Sequence, residues 1–215
     1  GGSTSTKAAL VDEWGTVRGK AYRLSQGNPI DDCRVIAREL RLEAGRAGAR
    51  LEVVGAAATG YAKDVLARIL QTDLAPVETV AHARSGLLEM PDADVIVDVG
   101  GQDIKLVVLK QGHVKDFMLN TQCSAGNGYF LQATARAFGI PLEEFAARAF
   151  EARRMPEFST GCAVFLQADI VNFQRQGWTR EQILAGLAAV LPKNIWLYVA
   201  KIPNPSLLGS HFLLQ

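Results

Sequence analysis

Cysteine is scarce in this chain, and neither sign of charge is in clear excess. Three cysteines among 215 residues are too few for a disulfide framework, so a reducing cytoplasm is the expected compartment. Lysine and arginine number 23 against 22 aspartates and glutamates, which leaves no basic face for nucleic acid. We therefore expect a cytoplasmic protein that does not bind nucleic acid.

Long apolar runs are also missing, and no signal peptide is visible. The best candidate for a membrane span, residues 183–199, is interrupted by Pro192, Lys193 and Asn194. That interruption favours a buried or amphipathic helix over a membrane-spanning one, so we expect no membrane partner. Apolar residues make up 48% of the chain, which is ordinary for a globular protein.

Two segments repeat one pattern: a glycine pair, a polar bend, a lysine, an apolar strand, a glycine turn and a return strand. Glycine pairs let backbone N–H groups approach an anion closely, and hydroxyls, an amide and a lysine complete a phosphate cradle. Two such hairpins facing each other would clamp a polyphosphate, so ATP is the expected ligand. The residues predicted to bind it are Gly2, Ser3, Thr4, Ser5, Lys7, Gly100, Gly101, Gln102 and Asp103.

Lysines inside strands commonly point to solvent, and this alternative applies to Lys7 and more strongly to Lys105. Asp98 ends an apolar strand directly before the second glycine pair. Its carboxylate is placed to hold Mg²⁺, directly or through water. Gln102 or Asp103 is placed to orient the attacking water.

Strands alternate with helices along the chain, which predicts an α/β fold with a mixed sheet. The boundary between two units is expected near Pro91 and Asp92, giving domains 1–92 and 93–215. Gly1 opens inside a motif and the chain stops on an expected strand, so we expect a segment of a longer protein. The strands are expected at residues 8–11, 17–24, 51–54, 95–97 and 212–215, and the helices at 31–44, 61–70, 79–90, 128–138, 142–150, 163–175 and 181–199, the last capped by Thr179.

Cys123 and Cys162 each lie beside small residues and directly precede an expected helix. A helix N-terminus lowers the pKa of a thiol and favours anionic ligands. Two thiolates cannot complete the shell of an iron–sulfur cluster, but two chains related by a two-fold axis can, with one 4Fe–4S cluster per homodimer. The alternative is that both are small buried residues. Cys33, in an ordinary amphipathic helix, is interpreted as structural.

Four motifs in order resemble the activator ATPases of 2-hydroxyacyl-CoA dehydratases, which are kin of the ATP-hydrolysing subunits of benzoyl-CoA reductase. The motifs are residues 1–7, 98–105, 123–128 and 161–165. The resemblance implies the duplicated ribonuclease-H-like fold of the actin, hexokinase and heat-shock chaperone ATPases. Two departures leave the expected nucleotide site incomplete. The family's aspartate before the first glycine pair would precede residue 1, and its adenosine-binding Gly-Gly loop would follow Gln215.

The resemblance also implies a function and further site residues. An ATPase of this kind delivers a low-potential electron from a cluster held by Cys123 and Cys162 of two subunits. The implied acceptor is an iron–sulfur CoA-thioester dehydratase or reductase, and the donor a ferredoxin or flavodoxin. Glu78, one helical turn before His82, is a candidate water-activating base, although a capping glutamate and a packed histidine are the alternatives. Two rival functions stay open: a small-molecule kinase without a cluster, and a non-enzymatic dimerisation or docking half-domain.

Overall fold

The computed structural model describes residues 1–46, 48, 50–120, 126–202 and 204–215. Contacts within it divide the chain into two compact units, Gly1–Ala81 and His82–Gln215. This division falls inside a helix, ahead of Pro91 and Asp92, and the domain boundary at residues 92/93 stays a prediction.

The first unit is built on a two-stranded antiparallel hairpin of β1 (Ser5–Val11) and β2 (Val17–Leu24). Helix α1 (Pro29–Arg46) packs Ile36 and Leu40 against Ala21 of the hairpin. A second helix, α2 (Lys63–Leu70), follows. The amphipathic pattern of α1 thus covers one face of the hairpin, as its spacing predicts.

The predicted buried strand at residues 51–54 is wrong. This segment forms no strand in the structure, and the side chains of Val53 and Val54 are 65% and 93% exposed. Four apolar residues have the composition of a buried strand, but a strand also needs a neighbour that supplies the opposite half of each ladder hydrogen bond. Within the described residues, this segment pairs with no strand.

The second unit contains a four-stranded sheet in the order β5–β4–β3–β6. Three consecutive strands pair antiparallel, and the last strand of the chain lies parallel to β3. Apolar side chains cover both faces of β3, which explains its continuous apolar run. The strands are β3 (Val95–Val99), β4 (Ile104–Lys110), β5 (His113–Asn120) and β6 (Phe212–Leu214).

A carboxylate fixes the entry of β6 beside β3. Asp94 accepts hydrogen bonds from the backbone N–H groups of Ser210 and His211 at 2.8 and 3.0 Å. These two N–H groups are the main cause that lowers the pKa of Asp94 below its usual range. Gly209, with φ of +129°, approaches so closely that a Cβ there would collide with the Asp94 carboxylate.

Helices flank this sheet. On one face, Ala83 of α3 packs with Ile96 and Val107, and a Cβ on Gly86 would collide with Ile96. The helices, in chain order, are α3 (Glu78–Glu89), α4 (Gly128–Ala137), α5 (Phe145–Phe150), α6 (Ala163–Arg175) and α7 (Arg180–Asn194).

The long helix α7 begins at a capping box. Gln182 N–H donates to the Thr179 hydroxyl at 3.4 Å, and Thr179 N–H donates to the Gln182 side chain at 3.1 Å, which confirms the predicted cap. The helix contains Pro192 and continues as a π-helical turn, Ile195–Ala200. Among the described residues, this stretch, Arg180–Ala200, has the length and apolar composition of a membrane span, and half of it is buried inside the protein.

Candidate nucleotide and cysteine sites

The first glycine pair opens a tight turn. Gly2 N–H donates to the carbonyl of Ser5 at 2.9 Å, and Gly2 and Ser3 are exposed. Thr4 is half-buried and Ser5 is buried. Lys7 is exposed and lies over the ring of Tyr22, with its Nζ 5.8 Å from the ring centroid. The exposed glycine and hydroxyl therefore present a small polar rim at this end of β1.

The glycine-rich loop of residues 55–60 packs against the start of this hairpin. Gly60 has φ of +90°, and a Cβ on it would lie 2.6 Å from the carbonyl oxygen of Gly1. Ala62 N–H donates to the same carbonyl at 2.9 Å. Close backbone packing explains the glycine at position 60.

The second glycine pair forms the turn between β3 and β4. Gly100 N–H donates to the carbonyl of Asp103 at 2.9 Å, and a Cβ on Gly100 would lie only 2.9 Å from that oxygen. In the described part of the chain, the N–H groups of Gly101, Gln102 and Asp103 donate no hydrogen bond to the protein. Consecutive uncommitted N–H groups in a turn form a concave anion site.

Helix α4 holds this turn from behind. The N–H groups of Gly128 and Tyr129 donate to the carbonyls of Gly100 and Gly101 at 2.9 and 2.8 Å. Asn127 caps the helix by accepting from Phe130 N–H, and its amide also donates to the carbonyl of Gln102 at 3.0 Å. The turn carbonyls are thereby drawn toward the helix.

A buried charged pair lies directly beneath the turn. Asp98 and Lys105 are opposite each other in the β3–β4 ladder, and their side chains are 12% and 10% exposed. Lys105 Nζ lies 3.4 Å from Asp98 Oδ2. Lys105 therefore does not point to solvent, and the solvent-facing alternative is wrong for it. Sequence reasoning missed the pairing, although a four-residue turn at 100–103 places residues 98 and 105 in register.

His82 joins the same cluster. Its Nε2 lies 3.6 Å from Asp98 Oδ2, and its Nδ1 lies 2.6 Å from the side-chain amide nitrogen of Gln215. Asp98 thus has two cationic or hydrogen-bonding neighbours that define where its carboxylate points. One carboxylate fits Mg²⁺, because this ion keeps most of its waters and takes phosphate oxygens as further ligands.

The other predicted catalytic residues take different positions. Gln102 is exposed and Asp103 half-buried in the turn. Glu78 is half-buried in the first turn of α3 and belongs to the first unit.

Cys162 occupies the N-cap of α6. Its carbonyl accepts from the N–H groups of Phe165 and Leu166 at 3.1 and 3.3 Å, while its side chain makes no capping hydrogen bond. The half-buried thiol fits a single ligand position at a helix N-terminus. Cys123 lies outside the described residues. Among the described ones, no three histidine, cysteine or acidic side chains form a possible metal site.

Cys33 differs from Cys162. It packs against Ala58, Ala62 and Leu66. Burial raises the pKa of its thiol, which disfavours the thiolate form that binds metal. These contacts support a structural role.

An apolar cavity of about 970 Å³ lies beside α7 in the second unit. Phe145, Phe150, Met155, Leu191 and Trp196 are among its lining residues. A wall of this composition cannot satisfy a phosphate group, so this cavity is not a phosphate site.

Comparisons with known proteins agree with these features. A sequence profile of the BadF/BadG/BcrA/BcrD ATPase family matches residues 1–211. The chain is 27% identical over 130 residues to the (R)-2-hydroxyglutaryl-CoA dehydratase activating ATPase of Acidaminococcus fermentans, covering 60% of the chain and 49% of that protein. It is 32% identical over 131 residues to the activator of lactoyl-CoA dehydratase of Anaerotignum propionicum, with the same coverage. The chain therefore spans about half the length of these curated relatives.

A solved structure gives the fold. The activator of the 2-hydroxyisocaproyl-CoA dehydratase from Clostridium difficile, with bound ADPNP, superposes with a TM-score of 0.83 at 21% identity. The match covers all of this chain and 85% of that one. The fold is that of the actin and hexokinase-like ATPases, as the sequence resemblance implies.

Proposed function

Because the chain belongs to the BadF/BadG/BcrA/BcrD ATPase family, we propose that it binds and hydrolyses ATP to activate a CoA-thioester dehydratase or reductase. The observation that carries this proposal is the turn of residues 100–103. Its uncommitted N–H groups lie at the end of a strand whose last buried residue is the carboxylate Asp98. The N–H groups of such a turn donate hydrogen bonds to phosphate oxygens, and the carboxylate binds Mg²⁺ or one of its waters.

The second hairpin positions the phosphates in this proposal. Gly100 allows the turn to close, and Gly101, Gln102 and Asp103 offer N–H groups to the terminal phosphate. Asp98, with Lys105 and His82 against it, would hold Mg²⁺ directly or through water. The side chain of Gln102 or Asp103 would orient the attacking water. Mg²⁺ supplies charge neutralisation on the phosphate oxygens when bound.

The first hairpin and Glu78 have separate roles. Gly2, Ser3, Thr4 and Ser5 offer hydrogen-bond donors to a phosphate group from the end of β1, and Lys7 supplies a mobile positive charge. Glu78 is the candidate water-activating base.

Electron transfer is the second half of the proposal. Cys162, together with Cys123, contributes two thiolates, and a second copy of the chain contributes two more. These four thiolates would hold a 4Fe–4S cluster, which would supply one low-potential electron from a ferredoxin or flavodoxin to the iron–sulfur partner enzyme. The residues of this chain hold it at the α6 N-terminus, where backbone N–H groups favour an anionic group. A cytoplasmic location fits these partners.

The test of ATP hydrolysis is Asp98→Asn in the intact protein. Amide substitution keeps the volume but removes the charge that holds Mg²⁺. We expect Mg²⁺-dependent phosphate release to fall by roughly a hundredfold or more, the range of positioned acid–base groups, while the circular dichroism spectrum stays that of the wild type.

The matched control is Asp116→Asn, an exposed aspartate on β5 whose side chain accepts from the N–H of Phe117. Its turnover should equal that of the wild type. Wild-type turnover in Asp98→Asn would instead move the catalytic carboxylate elsewhere, with Glu78 as the next residue to replace.

A further inference from the structure

The side chain of a buried asparagine, Asn194, makes two hydrogen bonds to the backbone of Gly161, the residue before Cys162. Asn194, the last residue of α7, is 4% exposed. Its Oδ1 accepts from Gly161 N–H at 3.1 Å, and its Nδ2 donates to the Gly161 carbonyl at 3.2 Å. One side chain therefore satisfies both backbone groups of a residue that lies 33 positions away along the chain.

The backbone conformation of Gly161 sets the orientation of the Cys162 side chain. Gly161 has φ of +142°, which L-residues with a side chain rarely adopt. The carbonyl held by Asn194 belongs to the peptide bond that enters Cys162, the N-cap of α6. Rotation of this peptide would turn the Cys162 thiol relative to the helix, and the two hydrogen bonds oppose that rotation.

The segment that follows Asn194 packs against the sheet that carries the proposed nucleotide site. The π-helical turn that follows it buries Ile195, Val199 and Ala200 against β3 and β4, in one cluster with Val97 and Ile104. These two strands carry Asp98 and Lys105. A shift of β3 and β4 relative to the helices would therefore displace the residue next to Asn194.

The end of α7 and the π-helical turn after it, residues 192–200, are irregular in their backbone hydrogen bonding. Pro192 lacks the N–H for an α-helical hydrogen bond, and the helix changes to π-helical geometry from Ile195. Interruptions of this kind are frequent at functional sites because the backbone hydrogen bonds there can change partners.

We infer that Asn194 is a positioning residue that couples the nucleotide hairpin to the cysteine loop. It fixes the Gly161–Cys162 corner to the π-helical turn on β3 and β4. This inference rests on the proposed function, since it requires a nucleotide at the second hairpin. It adds the route by which nucleotide binding would change the orientation of the cysteine. It assigns Asn194 no contact with nucleotide or cluster.

The test measures the Cys162 thiol in the intact, iron-free, reduced protein. Iodoacetamide labels the cysteines, and peptide mass spectrometry reports the rate at Cys162 with and without a Mg²⁺-bound non-hydrolysable ATP analogue. Calorimetry reports the dissociation constant of the analogue in parallel. In the wild type, we expect the analogue to change the Cys162 rate severalfold and to leave the Cys33 rate unchanged.

The decisive variant is Asn194→Leu, which keeps the branched shape of the side chain and removes the two hydrogen bonds to Gly161. We expect Cys162 to react faster than in the wild type, at a rate that no longer depends on the analogue, while the analogue binds with unchanged affinity. Asn194→Asp keeps the acceptor for Gly161 N–H and loses the donor, so it should retain part of the dependence. It also keeps the test decisive if Asn194→Leu does not fold.

The matched control is Asn204→Leu. Asn204 caps a short 3₁₀ turn by accepting from the N–H and hydroxyl of Ser206, and it should behave as the wild type. Undiminished nucleotide dependence in the Asn194 variants that fold would overturn the inference, as would a wild type that binds the analogue without any change at Cys162. If the wild type does not bind the analogue, the proposed function is wrong, and the proposed coupling through Asn194 is wrong as well.

Discussion

Lys105 and Lys7 occupy equivalent positions in two similar hairpins but have opposite environments. Lys105 is buried against Asp98, whereas Lys7 is exposed over Tyr22. Removing one partner of a buried ion pair leaves the other charge uncompensated, which costs far more than losing an exposed lysine.

The same substitution at both lysines tests this difference. Lys105→Met should lower the free energy of unfolding by about 3 kcal/mol, and Lys7→Met should change it by no more than about 0.5 kcal/mol. Urea unfolding followed by circular dichroism gives both values. Equal losses would mean that the Asp98 carboxylate is compensated without Lys105.

The difference between the two lysines was outside the reach of pattern reasoning. A lysine in an apolar strand has one composition whether its side chain crosses the sheet or reaches solvent. What distinguishes Lys105 is its cross-strand partner, and register supplies that partner only after the turn is placed. The position of Asp98 near the end of β3 was predictable because it follows an apolar run and precedes a glycine pair, and its catalytic role stays a prediction. His82 and Gln215 meet through a contact between residues 133 positions apart, which no local pattern contains.

At the scale of elements, α4 and α7 both begin at a side-chain cap, but only the α4 cap also contacts the turn of residues 100–103. Thr179 caps α7 through a reciprocal box with Gln182. Asn127 caps α4 and in addition holds the carbonyl of Gln102. Comparing the two caps therefore distinguishes the effect of a lost helix cap from the effect of a changed turn geometry.

Alanine substitution at each cap should cost roughly 1 kcal/mol of stability, the usual value of a lost N-cap. Only Asn127→Ala should also weaken binding of a fluorescent ATP analogue, because the turn loses one of its bonds to α4. Thr179→Ala should bind the analogue as the wild type does. Equal affinity in both variants would show that Asn127 does not orient the turn.

Element prediction succeeded where the signal was local and failed where it was not. Residues 178–181, with Thr179 as the cap, predict a helix start from four residues, and α6 begins and ends where its pattern predicts. The segment 51–54 has a strand composition without a strand partner. The change to a π-helical turn at Ile195 was also not predicted, because Pro192 signals an irregularity but not its type.

At the scale of the whole molecule, the two proposed cluster cysteines per chain predict a homodimer. Intact protein prepared without oxygen should contain about four iron atoms per dimer, with visible absorption that air bleaches. Cys162→Ser and Cys123→Ser should each lose the iron and weaken the dimer, because two thiolates cannot hold a cubane. Cys33→Ser is the matched control and should retain both, since Cys33 packs in an apolar cluster. Iron-free wild-type protein would contradict this prediction.

The fold class followed from the alternation of strands and helices and from the repeated hairpin, and both hairpins are present. The order of the strands in the sheet could not be predicted from the sequence. β6 pairs parallel to β3 across more than a hundred residues, and its position depends on the close approach of Gly209 to Asp94. Sequence periodicity gives the faces of each strand but not its neighbours.

Asp94 and Gly209 constrain each other's replacement during evolution. Any side chain at position 209 would occupy the space of the Asp94 carboxylate, and a smaller residue at position 94 would lose the two hydrogen bonds to Ser210 and His211. A lineage cannot pass through either single change without weakening the entry of β6. Descendants that keep this strand beside β3 should therefore retain both residues or exchange them together.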